Sequence, residues 1–282
     1  MEWHSAADRP SMDDNLQYHI RCKDGDIERY TMLPGDPERV DKIAAGWTKQ
    51  RFVAQHREHR TFTGEIQDTP VSCCSIGCGG ASTSSAMEEL ANLGADTFLR
   101  VGSTGAIQDH IACGDLIIPS GAVRHDGTSD LYVETAYPAV ASYELVIALV
   151  EAAETLGVRY HVGITCSTAS WYSGQGRTGY GGYIQDDHSN KMRYLQNAKV
   201  LNFDMETATV YTLANIFGLR AASVCVAVAN RVRDELDFTG MENCIKVANL
   251  AIQNIARMDA QKLSAKRQYW WPGISEVASE NG

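Results

Sequence analysis

The sequence predicts a single α/β domain. From about residue 30 onward, apolar runs rich in β-forming residues alternate with segments of helical periodicity. The chain has 282 residues and a 44% hydrophobic composition, so it can bury a large core. It contains no internal repeat and no internal linker. These three observations favour one continuous domain over two smaller ones.

Seven apolar runs are predicted as strands, at residues 30–33, 71–76, 97–102, 115–119, 162–167, 200–203 and 221–229. Amphipathic helices are predicted between several of them, at residues 84–93, 141–156, 206–217 and 241–258. Three helical runs are followed by a glycine where a left-handed C-cap is expected, at Gly94, Gly157 and Gly218.

The turn after the first strand has the order of parts that an anion site needs. Pro34 and Gly35 break the strand, Asp36 can cap a helix, and Pro37 suits its first position. Free N–H groups and the positive end of the helix dipole would face one point, and Arg39 adds a cation. The alternative is an ordinary capped helix with a solvated arginine.

Charge and composition exclude several classes of function. A net charge of −10 disfavours a broad nucleic-acid surface or an acidic-membrane surface, because both require a basic face. No apolar run approaches the roughly 18 residues that cross a membrane, and residues 1–14 lack a signal-peptide core. We therefore expect a cytoplasmic protein. Most of the eight cysteines lie in apolar runs without a Cys-x-x-Cys pair, which indicates free thiols and no structural zinc.

Glycine and hydroxyl residues follow the next two predicted strands. Residues 77–82 resemble half of a dinucleotide fingerprint, but Ser82 stands where the third glycine belongs, so dinucleotide binding is weakly supported. Residues 100–105 supply a cation from Arg100 and hydroxyls from Ser103 and Thr104 at the end of a strand, where α/β sites gather. A simple polar turn is an equal alternative for this segment.

Three further segments carry groups that could bind a ligand. Residues 171–177 combine an aromatic platform with an amide and a guanidinium, which suits a flat heterocycle. Asp204 and Glu206 follow a buried strand, where they could accept hydrogen bonds from a diol or simply stabilise a helix N-terminus. Residues 56–60 form a dense charged run that by default is a solvated face.

The two ends of the chain differ in composition from the main domain. We divide it into an N-terminal extension (1–18), a main domain (19–260) and a C-terminal tail (261–282). The longest irregular stretch is residues 173–190. The tail carries an aromatic cluster, Tyr269, Trp270 and Trp271, that could dock on the domain or on a neighbouring subunit, and its last residues are expected to be frayed.

Taken together, residues 19–258 resemble the uridine phosphorylases of the nucleoside phosphorylase-I superfamily. The Gly-Asp-Pro-Glu-Arg motif at 35–39 and the Phe-Leu-Arg-x-Gly-Ser-Thr-Gly motif at 98–105 mark the superfamily, and Gly-Gln-x-Arg at 174–177 narrows it to pyrimidine nucleosides. The resemblance implies a central mixed sheet or barrel flanked by helices. It also implies reversible phosphorolysis of uridine, with inorganic phosphate as co-substrate and no required cofactor.

The resemblance implies a role for each site residue. Phosphate would contact Gly35, Arg39, Arg100 and Ser103, together with Arg57 from an adjoining subunit of a homodimer or larger homo-oligomer. Ribose would contact Met205, Glu206 and a neighbour's His19. Uracil would be read by Gln175 and Arg177, stacked on Trp171, and enclosed by Val228 and Arg231. The catalytic set would be Arg177, Gln175, Glu206 and Arg100.

A monovalent cation such as K+ is a further implication, because Glu58, Ser82 and the Cys78 carbonyl match positions that hold one between subunits in bacterial relatives. Three departures from the family pattern bear on efficiency: Asp204 replaces a Glu, Ser103 a Thr, and Trp171 a Phe.

Three rival interpretations remain. One is a purine phosphorylase or a water-using nucleosidase of the same superfamily. The phosphate arginines argue against the nucleosidase, and the absence of an acid in residues 228–231 argues against the purine enzyme. The others are a nucleoside-binding protein without turnover and a dinucleotide enzyme.

Overall fold

A computed structural model of the chain describes residues 16–184 and 188–276. Most of the predicted N-terminal extension, three residues of the predicted irregular stretch and the last six residues of the predicted tail therefore lie outside the described residues.

The described residues include eleven strands and six α-helices, and one to three strands precede each helix along the chain. The strands are β1 (Tyr30–Pro34), β2 (Thr48–His56), β3 (His59–Ile66), β4 (Thr69–Cys74), β5 (Thr97–Ala106), β6 (Leu116–His125), β7 (Ala139–Val140), β8 (Tyr160–Thr168), β9 (Val200–Asp204), β10 (Arg220–Asn230) and β11 (Glu235–Leu236). The helices are α1 (Pro37–Ala44), α2 (Gly80–Asn92), α3 (Tyr143–Leu156), α4 (His188–Asn197), α5 (Thr207–Ile216) and α6 (Met241–Ala265).

Five strands close into a ring. Strand β10 pairs with β6, and β6 continues through β8 and β9 to β5, which pairs back with β10. The β10–β6 and β9–β5 pairs are antiparallel and the other three are parallel, so the sheet is mixed. Closing the ring leaves none of these five strands with a free edge. The predicted mixed sheet or barrel is thus confirmed.

The rest of the sheet extends outward from the ring. Strand β1 lies parallel between β5 and β4, and β3 and β2 follow as antiparallel neighbours. One apolar core packs α1, α3 and α6 against the sheet, and a second buries the apolar faces of α2 and α5. Helices on the sheet surfaces are what buried parallel strands require.

The sequence-based assignment is confirmed for all seven strands and four helices, with shifts at their ends. Strand β6 continues to His125, although the prediction stops at Pro119, because an irregularity in the register between Pro119 and Gly121 accommodates the missing N–H group. The β2–β3 hairpin was missed because β2 is largely exposed and β3 buries mainly polar residues, so neither strand shows a clear alternation of apolar side chains. Helix α4 was missed because it begins inside the stretch that was predicted to be irregular.

Two other predictions concern cysteines and membranes. All eight cysteines are free thiols, as predicted. None of the helices in the described part of the chain combines the length and the apolar character that crossing a bilayer would need.

The aromatic tail docks on the domain itself. Trp270 is buried in the main core, and its indole N–H donates to Gln261 at 2.6 Å. The Trp270 backbone N–H donates to Glu144 on α3 at 3.2 Å. Helix α6 runs to Ala265, past the proposed domain boundary at residue 260, so that division stays a prediction.

Beside the docked tail, a network of ion pairs joins β10, α3 and α6. Arg220 contacts both Asp259 at 2.7 Å and Glu144 at 3.1 Å, and Lys262 contacts the same two carboxylates. Tyr30 donates its hydroxyl to Asp259 at 2.8 Å. Burial alone would raise the pKa of Asp259, but hydrogen bonds from Arg220 and Lys262 outweigh it and hold that pKa well below its usual range.

We expect Asp259→Asn to destabilise the fold by roughly 2–4 kcal/mol, because Arg220 and Lys262 lose a buried partner. The depressed pKa of Asp259 adds a pH signature. Its stabilisation is fully present above the unfolded-state pKa of about 3.9 and is lost as the pH falls below it.

Denaturant unfolding at pH 6 and pH 3 measures both effects. The variant should differ less from the parent at pH 3 than at pH 6. The control is Glu242→Gln, which breaks an exposed pair with Lys246 and should not shift the midpoint at either pH. A loss that is equal at both pH values would contradict the role of the charged carboxylate.

Candidate active site

A cavity of about 700 Å³ opens beside the second half of β5, where β1 and β9 end. It is lined by residues from every segment that the sequence predicts to bind a ligand. They are Gly35, Asp36, Pro37, Arg39, Glu58, Gly77, Cys78, Arg100, Ser103, Thr104, Gly105, Trp171, Gln175, Arg177, Phe203, Asp204, Met205, Glu206, Val228, Ala229, Leu236 and Phe238. The closed ring brings these distant segments to one place.

The turn after β1 forms one corner of the cavity. Asp36 caps α1, as predicted, by accepting a hydrogen bond from the Glu38 N–H at 2.9 Å, and Pro37 is the first helical residue. Arg39 on this helix donates to the Val101 carbonyl at 3.1 Å. Burial lowers the pKa of Arg39, and the positive charge of Arg100 lowers it further. Two cations that face each other in this way favour a bound anion.

Arg100 is the most buried cation of the cavity, with 3% of its surface exposed. Its Nε donates to Asp204 at 3.1 Å and its Nη2 to Glu206 at 2.5 Å. Burial acts to lower the pKa of Arg100, but the charges of Glu206 and Asp204 outweigh it and the pKa is raised. Arg100 is therefore a permanent cation whose orientation is fixed on two sides.

Glycine at position 102 makes room for this arginine. A Cβ atom there would lie 2.3 Å from Arg100 Nη1 and 2.8 Å from the Cys225 sulfur. No side chain tolerates such distances without moving a neighbour. The guanidinium of Arg100 thus folds back against its own strand.

Asp204 is tied to the protein by several hydrogen bonds. Besides Arg100, it accepts from the Ser167 hydroxyl at 2.5 Å and from the Thr207 N–H at 3.0 Å and hydroxyl. The Thr207 N–H belongs to the first turn of α5, so Asp204 also satisfies an otherwise unpaired helix donor. Asp204 thus serves here to hold Arg100.

Glu206 lies at the N-terminal end of α2. Its Oε1 accepts the Gly79 N–H at 2.6 Å, directly before the helix begins at Gly80. Burial raises the pKa of Glu206, Arg100 opposes that rise, and Asp204 adds to it. One carboxylate oxygen thus faces a helix terminus and the other a guanidinium. Met205, next to it, lies 3.6 Å from the Cys78 sulfur.

The opposite end of the cavity is built from residues 171–177 after β8. Arg177 Nη1 donates to the Trp171 carbonyl at 2.7 Å and to Gln175 Oε1, and its guanidinium stacks 3.7 Å from the Trp171 ring centroid. Arg231 donates to the Gln175 carbonyl. Burial lowers the pKa of Arg177 to about 10, and the charge of Arg231 contributes.

Strand β10 reaches the same end through an irregularity. Its register with β5 shifts between Ala227 and Ala229, and Val228 in that bulge lines the cavity. Leu236 and Phe238 also line it, although most of their surface is exposed. Sequence reasoning missed these two residues, and the only available signal was two apolar side chains in an otherwise polar segment.

Most of the residues predicted for the site therefore meet in one cavity, but four do not line it. Arg231 contacts the cavity wall through Gln175. His19 pairs with Glu89 at 2.7 Å, and Arg57 lies in the exposed turn between β2 and β3, over the Tyr18 ring. Ser82 donates to Glu58 at 2.8 Å, which brings together two of the predicted cation ligands.

The chemistry open to this cavity is limited. Among the described residues there is no group of three or more His, Cys, Asp or Glu side chains that could hold a metal ion. Burial raises the pKa of the Cys78 thiol, and the charge of Glu206 raises it further, which disfavours a thiolate nucleophile. The arrangement can bind an anion beside Arg39 and Arg100, and a polar ring at the Gln175 end.

The known proteins that this chain resembles are phosphorylases. A family model described as the phosphorylase superfamily matches residues 29–263, which include all the residues that line the cavity. A uridine phosphorylase from Thermococcus kodakarensis is 54% identical over 269 residues, covering 95% of this chain and 97% of the relative. The Escherichia coli uridine phosphorylase is 43% identical over 222 residues (78% and 88%). A guanosine phosphorylase from Halorubrum lacusprofundi is 36% identical over 216 residues (77% and 84%).

We expect Gly102→Ala to weaken the binding of inorganic phosphate by about tenfold or more, because the added methyl group displaces Arg100 and charge-assisted hydrogen bonds depend on its position. Titration calorimetry measures the dissociation constant. The matched control is Gly46→Ala, since a Cβ atom at Gly46 meets nothing within 4 Å.

If Gly102→Ala does not fold, Arg100→Lys tests the same point, because lysine keeps the charge but loses the planar fork. An unchanged phosphate affinity in a folded variant would contradict anion binding by Arg100.

Proposed function

Since this chain belongs to the phosphorylase superfamily, we propose that it catalyses the reversible phosphorolysis of uridine to uracil and ribose 1-phosphate. The observation that carries the proposal is the 54% identity to a uridine phosphorylase over nearly the full length of both proteins. The cavity supports it independently, because it has the buried Arg100 and the half-buried Arg39 at one end and an amide and a guanidinium at the other.

In this proposal, phosphate binds at the arginine end. Arg39 and Arg100 supply planar cations, Ser103 supplies a hydroxyl, and the backbone at Gly35 lies at the start of α1. A phosphate oxygen then attacks C1′ of the ribose and forms the new C–O bond as the glycosidic C–N bond breaks, with inversion at C1′. No side chain becomes covalently attached, which agrees with the protonated Cys78 thiol.

The negative charge that develops on the leaving uracil has to be stabilised in the transition state. As the glycosidic bond lengthens, negative charge develops on the uracil carbonyl oxygens, and the sugar gains oxocarbenium character. Donors from Gln175 and Arg177 at those oxygens would bind the transition state more tightly than the substrate. Val228 and Arg231 would enclose the base. We therefore assign catalysis to Arg177, Gln175, Arg100 and Glu206.

Ribose would lie between the two ends, beside Met205 and Glu206, both of which line the cavity. Glu206 Oε1 accepts from Gly79 and Oε2 from Arg100, and because a carboxylate has about four acceptor sites, Glu206 can also accept from a ribose hydroxyl. Its negative charge would also stabilise the positive charge that develops on the sugar.

Shared sites between subunits are a further part of the proposal. Arg57 does not line its own cavity and lies in an exposed turn with a left-handed backbone, φ 53°. His19 is also away from the cavity. Both residues could complete the site of a neighbouring subunit, Arg57 at phosphate and His19 at ribose, in a homodimer or larger homo-oligomer.

Three finer expectations accompany the proposal. The pair of Glu58 and Ser82, with the Cys78 carbonyl, would hold a K+ ion between subunits. The protein would act in the cytoplasm. The main domain would comprise residues 19–260, with the extension and the tail outside it.

The proposal is tested by the loss of uridine absorbance with and without inorganic phosphate, beside inosine, guanosine and thymidine. We expect cleavage of uridine that requires phosphate, with little cleavage of the purine nucleosides, because residues 228–231 offer no acid for a purine ring nitrogen. Cleavage without phosphate would indicate a nucleosidase. Preferred cleavage of guanosine would place the activity of the chain nearer to that named for the Halorubrum lacusprofundi relative, a guanosine phosphorylase, and no cleavage would overturn the proposed reaction.

The shared site predicts complementation. Arg57→Ala and Arg177→Ala should each inactivate the protein alone, since each site loses either its phosphate or its base contact. Subunits mixed after mild dissociation would form hybrids in which one site carries neither substitution. For a dimer, about a quarter of the parental activity should return. If hybrids form and no activity returns, Arg57 does not complete the site of a neighbouring subunit.

A further inference from the structure

His19 lies in a turn before β1 that packs on the domain. The Gln17 N–H donates to the Cys22 carbonyl at 2.9 Å and closes residues 17–22 into this turn. The side chains of Ile20 and Cys22 are fully buried in the core that also contains the apolar faces of α2 and α5. The packing of its own chain therefore sets the position of His19.

The side chain of Glu89 on α2 holds the same turn. The His19 N–H donates to both carboxylate oxygens, at 3.0 and 2.9 Å, and the Ile20 N–H donates to Oε2 at 2.9 Å. The Nδ1 atom of His19 lies 2.7 Å from Oε1. Only 12% of the Glu89 side chain is exposed, so these contacts are largely shielded from water. Two backbone N–H groups directed at one carboxyl group show that Glu89 acts as an acceptor.

These contacts fix which ring nitrogen of His19 carries a hydrogen. An ionised carboxylate can only accept, so Nδ1 is the donor to Glu89. Nε2 is then the remaining polar atom of the ring, as an acceptor in the neutral form and a donor in the protonated form. No hydrogen bond joins Nε2 to another residue in the described part of the chain, and 31% of the His19 side chain is exposed. The turn therefore leaves Nε2 available to a group outside its own subunit.

The turn between β2 and β3 lies against the turn that carries His19. His56 Nδ1 donates to the His19 carbonyl at 2.9 Å. The Tyr18 ring meets the His19 ring edge-on at 4.9 Å and lies 5.9 Å from the guanidinium carbon of Arg57. Neither His19 nor Arg57 lines the cavity of its own subunit. The two residues that are proposed to complete a neighbouring site are therefore held together on one surface.

We propose that Glu89 is a positioning residue for ribose recognition in the neighbouring subunit. It accepts the hydrogen bond from Nδ1 of His19 and so directs Nε2 to the ribose 5′-hydroxyl. This inference rests on the proposed phosphorolysis of uridine at shared sites. Glu206 is placed for the 2′,3′-diol beside the reacting carbon, which leaves the 5′-hydroxyl, the one farthest from that carbon. A residue that enters from outside the cavity would reach this hydroxyl first.

The substitution Glu89→Gln tests this role with two substrates. Three donors surround the carboxylate, and an amide would turn its NH2 group toward at least one of them. We expect kcat/KM for uridine to fall by about tenfold, and kcat/KM for 5′-deoxyuridine, which lacks the hydroxyl, to change by less than about twofold. The KM for phosphate should stay unchanged. An equal loss with both substrates would show a purely structural role and overturn the proposal.

Two further variants serve as references. His19→Ala should show the same selective loss, and Glu89→Gln should add less than about twofold in that background, because the group that it positions is gone. Glu88 is the adjacent carboxylate on α2 and accepts from the Tyr132 hydroxyl at 2.5 Å, so Glu88→Gln should keep the parental preference for uridine. Equal cleavage of uridine and 5′-deoxyuridine by the parent would overturn the contact with the 5′-hydroxyl.

Hybrid dimers decide whether Glu89 acts across the interface. Glu89→Gln and Arg177→Ala subunits that carry different affinity tags are mixed, and the hybrids are purified through both tags. The one intact base contact then belongs to the Glu89→Gln subunit, and the His19 that reaches it comes from the subunit with an intact Glu89. These hybrids should recover the parental ratio of kcat/KM for the two substrates. A ratio equal to that of Glu89→Gln alone would overturn action on the neighbouring site.

A readout that needs no activity separates this proposal from the reaction. Hydrogen exchange, followed by mass spectrometry, should be faster at residues 17–22 in Glu89→Gln and unchanged in α6. Unchanged exchange at residues 17–22 would overturn the role of Glu89 whatever the reaction is. Faster exchange there, in a protein whose parent does not cleave uridine, would instead overturn the reaction and leave the contact between Glu89 and His19 in place.

A second substitution keeps the proposal testable if Glu89→Gln does not fold. Glu89→Asp keeps the charge but withdraws the carboxylate by one methylene, so it should show the same selective loss with uridine. Parental selectivity in a folded Glu89→Asp variant would contradict the proposal.

Discussion

The buried guanidinium of Arg100 is the constraint on which the rest of the cavity depends. A cation with 3% exposure cannot remain in a protein interior without partners, and Asp204 and Glu206 supply them. Asp204 is in turn bonded to Ser167 on β8 and to the first turn of α5, so one charge organises three elements. Fixed dipoles and charges of this kind need no reorganisation when charge develops in a substrate, which is the property that phosphorolysis requires.

The closed ring of strands makes that arrangement possible. Strand β9 ends at Asp204 beside the second half of β5, and β10 lies on the other side of β5. Side chains that are a hundred residues apart in sequence thereby face one cavity. The ring also leaves no strand edge free near the site, so the backbone around Arg100 is held by hydrogen bonds on both sides. Irregularities in the ring, such as the bulge at Val228, then direct single residues inward.

The two ends of the cavity differ in how they are held. Arg100, Asp204 and Glu206 form a buried cluster in which hydrogen bonds fix the side chains on several sides. The opposite end combines the half-exposed Trp171 with two apolar residues on an exposed segment, Leu236 and Phe238. An arginine end with fixed side chains beside a more open end at Trp171 would suit the proposed phosphorolysis, in which the attacking phosphate is constant and the leaving base must enter and depart. The docked tail and the Asp259 network stabilise the opposite side of the domain, away from this cavity.

The sequence by itself determined the α/β class, the order of elements, the Asp36 cap with Pro37, and the motifs that assemble the cavity, because periodicity, capping and turn chemistry are local properties. It also carried the family resemblance that the comparisons bear out. Only the tertiary structure decided that Asp204 holds Arg100, that Arg177 covers a face of Trp171, and that Arg57 stands away from its own cavity. Those facts depend on pairs of residues far apart in sequence or on side-chain direction, and the closure of the strand ring sets both. A local sequence motif does not specify these contacts. The same motif is compatible with different partners for its side chains until the distant strands pair.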